Sequence, residues 1–528
     1  MEKIVLDFLQ NRINKLQEMT SALFKAHWEF STTGTEELQK QLISLKEKLA
    51  HFLSNEEDFQ KIKDFLNSKI DNDLIVRQLT VLYNAYLKHQ IDSELIQQIV
   101  KLEAEIESEF TNFRANYNGK RITNNQILDI LQTSTDEIER KSVWLSSKQI
   151  GQRVAPLLLK LVKLRNQVAN KLGYANYYSL ALQTDEINEK ELFEILDRLK
   201  ELTDEPFRKV KEKIDYNLAQ KFGISTEKLM PWHYSDPFFQ EIPNSDDIDL
   251  NKFFKDQDIV ELSKKYYAGI GLNVEDILAR SDLYEREGKD QHAYCIHIDG
   301  EGDIRILCNL RNTEYWMNTL LHELGHGVYD KYLDFNLPFI LRQPAHTFLT
   351  EAIAMMFGRL SRDPQWLKEI AGASPKLVDC LQDQLRWQEQ LALLIFIRWG
   401  LVMVYFEREL YKNPEQNLNR LWWDLVKELQ LLKCPANREN HPDWAAKIHL
   451  GTAPVYYHNY ILGYLAAYQI EATIKESLQI PHLINEPKIG SFLIEKIFKP
   501  GARYHWNTLL EKATGRKLTP DFAVQVFK

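Results

Sequence analysis

Glycine and proline are scarce in this chain, 20 and 17 of 528 residues, about 7% where average usage is roughly 12%. That shortage excludes collagen-like and low-complexity architectures. With long Leu/Ile/Lys/Glu-rich periodic stretches, it predicts a mainly α protein. Only four cysteines occur, too few for a disulfide framework in so long a chain, and they suit a reducing compartment. Cys295 and Cys308 are placed to face each other across a predicted hairpin, as a bridge in an exported protein or as ordinary buried thiols otherwise. Basic charge is also lacking. The net charge of −9 leaves no general positive surface, so nucleic acid is not an expected partner. No run of about 18 apolar residues is evident, which predicts no membrane span. The opening stretch MEKIVLDFLQNRINKL carries acids and no long apolar core, so it does not read as a signal peptide. A cytoplasmic protein is expected.

No Pro/Gly/Ser-rich linker or block of like charge marks a boundary, so residues 1–528 are read as one domain. Residues 1 to about 110 form successive amphipathic helices, with breaks near 31–37 and 53–59. Thr33 to Glu36 and Ser54 to Glu57 have the spacing of a capping box at each restart. The helical pattern continues from about 123 to 225, with Gly173 as a helix end. The stretch 229–244, LMPWHYSDPFFQEIPN, reads as a packed loop. His233, Tyr234 and Asp236 are cleft candidates there, against the plainer reading of a structural aromatic loop. Residues 292–310 switch to period 2 around the turn Gly300-Glu301-Gly302 and predict a β-hairpin, the strongest strand signal in the chain. Its edge could hold an extended peptide or only support the helix after it.

That helix carries His322-Glu323-Leu324-Gly325-His326. Two histidines four apart lie on one helix face and can reach one metal ion. Glu323 is placed beside it, where it can take a proton from a water and return it to a leaving amine. Met317, Leu320, Leu321, Leu324 and Val328 form the buried side of this helix, which is predicted to start near Asn312 or Thr313, with Glu314 at its positive end. HExxH alone arises by chance in roughly a few chains per hundred of this length, so its surroundings decide. Catalytic zinc usually takes three protein ligands. Glu351, the single carboxylate in the apolar run FLTEAIAMMF, is the candidate third; a buried carboxylate there needs a cation. The alternative is an ordinary pair with a base such as Arg342. A zinc site that is only structural needs no glutamate beside the ligand.

HELGH followed by TEAIAMMFG resembles the zinc peptidases with two histidines and a glutamate. It is most similar to the angiotensin-converting-enzyme family, and more distantly to the thimet oligopeptidase and oligoendopeptidase F family. Leu337-Pro338 through Leu341-Arg342, nine residues before Glu351-Ala352-Ile353, fits the first family, although the loop after His326 is one residue longer. A second block, 421–469, resembles the family's far cleft wall. There Lys447, His449, Tyr457 and Tyr460 match substrate-contacting positions, with one extra residue between the histidine and the tyrosines. The resemblance implies a large two-lobed helical ellipsoid with a deep channel and a small hairpin beside the zinc helix. Residues 1–120 are the implied lid, and 290–528 carry the zinc site and cleft wall. It further implies one Zn²⁺ held by His322, His326 and Glu351, with Glu323 as acid–base group. Tyr460 and His449 would serve as oxyanion donors, and Lys447 and Tyr457 would grip a peptide's C-terminal carboxylate. The expected reaction is hydrolysis of short oligopeptides with release of C-terminal dipeptides. Alternatives are an oligoendopeptidase and a peptide-binding protein that has lost the chemistry. Two departures stand out. The family's chloride-binding arginine between the tyrosines is Asn459, so chloride activation there is not expected. The acid four residues after the ligand glutamate is Met355, which leaves the hydrogen bond to a ligand histidine without an identified donor or acceptor.

Overall fold

The computed structural model describes residues 2–243 and 248–527, the side chain of Ser93 aside. The described chain is mainly α-helix with two small two-stranded antiparallel sheets. It divides into two compact units: Met1–Gln90, Ile248–Leu385 and Leu462–Ala523 form the first, and Ile91–Asp247, Arg386–Ile461 and Val524–Lys528 the second.

In the first unit, four helices, Glu2–Thr33, Glu36–Leu53, Glu56–Asn67 and Asp73–Leu87, bury apolar stripes at helical spacing. Val5, Leu9 and Ile13 meet Ile75 and Leu79, and the same cluster takes in Leu337 and Leu341. The two predicted restarts exist, but the capping boxes do not fall at Thr33 and Ser54. Thr35 occupies the first N-cap without a side-chain bond, and Asn55 caps the next helix by accepting from the Asp58 N–H at 2.8 Å. Asparagine reaches its own turn there, which removes any need for a serine one residue earlier.

The predicted hairpin pairs Tyr294–His297 with Ile304–Leu307. Gly300 and Gly302 take φ of 67° and 115° in its turn, conformations that side chains resist. Cys295 stands opposite Ile306, not Cys308, and all four cysteines are free thiols. The register of the pairing places Cys308 beyond the paired strand. The outer edge of Ile304–Leu307 is occupied: the Ile306 carbonyl accepts from the Asp282 N–H, and the Cys308 N–H donates to the Asp282 carbonyl, both at 2.9 Å.

The second unit holds the helices Ser93–Asn112, Glu137–Ser147, Gln149–Lys171 and Glu189–Phe222 among others. Gly173, at φ 87°, follows the end of its helix, with Tyr174 donating back to the Ala169 carbonyl. A hairpin not expected from the sequence, Ala115–Tyr117 with Lys120–Ile122, turns through Asn118-Gly119, both at positive φ. The Asn-Gly signal was present, but three-residue strands show no period. Helix Pro375–Lys412 corrects another expectation, because it contains an 18-residue window apolar enough by composition to cross a membrane. Of that window, 72% is buried within the protein. Arg398, 2% exposed in its middle, bonds to the Leu429 carbonyl and to Asp204, so packing accounts for the apolarity.

Candidate metal centre

Helix Glu314–Lys331 starts where the Thr313 hydroxyl accepts from the Trp316 N–H. Glu314 lies at its positive end, where its carboxylate accepts from Ser361 at 2.8 Å and from Arg362 at 2.8 and 2.9 Å. Met317, Leu320, Leu321, Leu324 and Val328 are all fully buried. That burial fixes the helix rotation and brings His322 and His326 onto the side that meets helix Thr347–Gly358. The two helices approach closely because Gly325 has no side chain. A Cβ there would lie 2.8 Å from the Ala354 Cα, well inside the usual carbon contact of about 3.5–4.0 Å.

This approach brings three would-be ligands together. The Nε2 atoms of His322 and His326 are 3.3 Å apart, and a Glu351 carboxylate oxygen lies 3.6 and 3.9 Å from them. All three ligand atoms fall within 4.8 Å of one another. Bonds of about 2.0–2.1 Å in tetrahedral geometry separate ligand atoms by roughly 3.3 Å, so the triangle fits zinc with small inward adjustments. Arg342 does not take the role of Glu351's partner; its Nε donates to the Leu337 carbonyl, and an Nη lies 3.5 Å from Glu301. Burial pushes His322 down to about 4; burial and then His322 push His326 down to about 3. Both rings are therefore neutral at pH 7, the form that ligates metal. Burial raises Glu351. A raised carboxylate facing two neutral rings is a site short of positive charge, which a dication supplies.

The hydrogen bond that the sequence left unassigned comes from Thr350. Its hydroxyl lies 2.7 Å from His326 Nδ1, fixing the ring so that Nε2 presents its lone pair to the ligand triangle. Thr350 precedes Glu351, so the helix carries one residue to the candidate ligand triangle and its neighbour to the histidine behind it. A hydroxyl immediately upstream of Glu351 was the available sequence signal. Glu323 is 7% exposed. Burial, and then the Glu351 charge, raise it to about 8, while the Cys295 N–H donates to it and opposes the rise. The hairpin thus supports Glu323 directly through its backbone.

In the second unit the structure groups Lys447, His449, Tyr457 and Tyr460. The His449 ring lies 5.2 Å from that of Tyr457, and Tyr457 lies 5.4 Å from Tyr460, three residues on in helix Tyr457–Leu478. Tyr457 Oη accepts from Trp399 Nε1 at 2.8 Å. Burial pushes His449 down to about 4, and its Nδ1 is buried without a partner among the described residues. Lys447 Nζ donates to Gln240 Oε1 at 2.7 Å, and burial lowers its ammonium to about 8. Gln240, in the irregular loop, was not a sequence candidate; nothing in its local pattern distinguishes it. The loop's three cleft candidates prove to be internally bonded. Tyr234 Oη donates to Asp215 and accepts from Lys211, Asp236 caps three backbone N–H groups, and His233 Nδ1 accepts from the Met230 N–H. Asn244, the last residue of that predicted loop, lies outside the described residues.

A sequence-family model of the peptidase M2 family, described as angiotensin-converting enzyme, matches residues 1–525. The angiotensin-converting enzyme of Mesocricetus auratus is 24% identical over 236 residues, covering 42% of this chain and 18% of its own length. The match thus takes in less than a fifth of that relative.

Proposed function

The chain belongs to the angiotensin-converting-enzyme (peptidase M2) family, and from that premise we propose that it is a zinc-dependent peptidase hydrolysing short oligopeptides, with release of C-terminal dipeptides. The observation that carries this reading is the ligand triangle of His322, His326 and Glu351, with Glu323 buried beside it. A zinc ion held there supplies Lewis-acid polarisation of the scissile carbonyl. Glu323 accepts a proton from the attacking water and returns it to the leaving amine. Burial moves its affinity for a proton up toward neutrality, where one carboxyl can do both. Thr350 holds the His326 ring. The sequence resemblance assigns oxyanion donation to Tyr460 and His449. It gives Lys447 and Tyr457 the peptide's C-terminal carboxylate, and Gln240 joins them through its bond to Lys447. Free thiols throughout support a reducing compartment, and we place the protein in the cytoplasm.

Glu323→Gln is the direct test. The variant is expected to bind zinc as the wild type does and to lose hydrolysis by a factor of about 10² or more. Near-normal cleavage by the zinc-loaded variant would refute the mechanism, and hydrolysis insensitive to a chelator would refute the zinc requirement. Comparing each peptide with its C-terminally amidated form separates cleavage modes: equal rates favour an oligoendopeptidase. Absence of hydrolysis with zinc bound favours a peptide-binding protein.

A further inference from the structure

The loop around Asp236–Gln240 is held by side chains at three consecutive carbonyls and at three N–H groups. The Pro237 carbonyl accepts from Lys148 Nζ at 2.8 Å and from Trp144 Nε1 at 3.1 Å. The next two carbonyls, of Phe238 and Phe239, accept from Gln430 Nε2 at 3.0 and 2.8 Å. The Asp236 carboxylate accepts from the N–H groups of Phe238, Gln240 and Glu241 at 2.8, 3.0 and 3.1 Å. Phe239 is held at φ 51°, a region aromatic residues seldom adopt, so surrounding bonds impose the shape. The residue delivered by this shape is Gln240, whose Oε1 takes the Lys447 ammonium.

Lys148 is 3% exposed, and its Nζ lies 3.4 Å from the Phe238 ring centroid. A buried ammonium needs a reason. The charged groups that act on it are Asp443, Arg438, Asp236 and Lys447. Asp443 is ion-paired with Arg438, which leaves Asp236 shared between Lys148 and Lys447. Glu241, at the exposed end of the loop, is screened by water. Burial lowers the Lys148 ammonium to about 7 and that of Lys447 to about 8, so the buried positive charge is short of anionic partners, and a substrate carboxylate would favour the charged form of both.

We propose that Lys148 is a positioning residue: through the Pro237 carbonyl it sets the Asp236–Gln240 loop so that Gln240 aims the Lys447 ammonium at the C-terminal carboxylate of a peptide. This rests on the reading of Lys447 given above. The test uses the full zinc-loaded chain and one peptide in free-acid and C-terminally amidated forms. Wild type is read first. If it does not distinguish the two forms, the carboxylate reading of Lys447 falls and this proposal with it. If it does, Lys148→Met is expected to raise KM for the free acid about tenfold, the loss of one charge-assisted hydrogen bond, with kcat little changed and KM for the amide unmoved. Lys148→Arg, which keeps the charge and an N–H donor for the Pro237 carbonyl, is expected to recover part of the free-acid KM, the adjoining cavity of about 20 Å³ lined by Trp144, Trp399 and Trp422 leaving little room for the larger head. An unmoved free-acid KM, or KM values for both forms rising together, overturns the proposal. Should Lys148→Met not fold, Trp144→Phe removes the other donor to the same carbonyl and keeps a ring in place. Its expected free-acid shift is about threefold, read against the amide in the same way.

Discussion

Gly325→Ala tests whether helix approach sets the metal geometry. The added Cβ would sit 2.8 Å from the Ala354 Cα, 3.2 Å from its N and 3.3 Å from the Ile353 carbonyl oxygen. All three are backbone atoms and cannot rotate away. Restoring a normal contact of about 3.5–4.0 Å requires the helices to part by roughly 0.7–1.2 Å. Zinc sites tolerate only about 0.2 Å in ligand distance, so Glu351 would be drawn off the triangle. Such overpacking costs about 1–3 kcal/mol, but alanine gains about 1 kcal/mol over glycine in a helix, which would mask part of it. Gly327→Ala, on the same helix, removes that ambiguity. Its nearest new neighbours are the Ile277 side-chain carbons, at 3.2 and 3.5 Å, and Cys295 Sγ at 3.7 Å, which can give. The propensity gain cancels between the two variants, leaving a difference of about 1–3 kcal/mol in apo-protein stability. Zinc affinity is expected to be lower by about tenfold or more in Gly325→Ala alone. Thermal unfolding of the apo forms and chelator-competition titration read the two quantities. Equal zinc affinities for the two variants would refute the reasoning.

Thr350→Val, which keeps the shape and removes the hydroxyl, is expected to weaken zinc binding by about 10–100-fold, with Thr350→Ser restoring most of it; an unchanged affinity in the valine variant refutes the role. Glu407 is 3% exposed, accepts from the Val455 N–H at 2.8 Å, and is raised to about 8 by burial. Below about pH 4.5 both folded and unfolded states hold its proton. As pH rises, the unfolded state releases it first, so stability is lost up to about pH 8 and is level above. Glu407→Gln keeps the acceptor and removes the titration, so its melting temperature should overtake wild type progressively between pH 5 and 8, by at most the equivalent of a few kcal/mol; a gap that does not change with pH refutes it. Asn459 is buried and neutral at the position expected for a chloride-binding arginine, so replacing chloride with acetate should leave hydrolysis rates unchanged, and a severalfold chloride activation would show another anion site.

Local patterns determined much of this protein. Period 3.6 and the shortage of glycine and proline gave the helical architecture. Thr313, Glu314 and the five apolar positions gave the start and rotation of the metal helix, because caps and amphipathic faces depend on neighbours within a turn or two. The period-2 stretch at 292–310 gave its hairpin for the same reason, and the weakness of three-residue strands hid the other. HExxH and a lone carboxylate in an apolar helix were enough to name the three side chains that the fold brings within 4.8 Å of one another. The distance between Gly325 and Ala354 was not readable, since it depends on two helices meeting. Thr350 as the partner of His326, Cys295 as the donor to Glu323, and the actual partners of Arg342 were decided the same way. So was the chain of contacts from Lys148 through the Asp236–Gln240 loop to Lys447, which joins residues up to 299 positions apart in sequence. One-dimensional order specifies what a segment can form. Which buried polar groups meet, and at what distance, is set only when packing removes water and each group must find its partner across the fold.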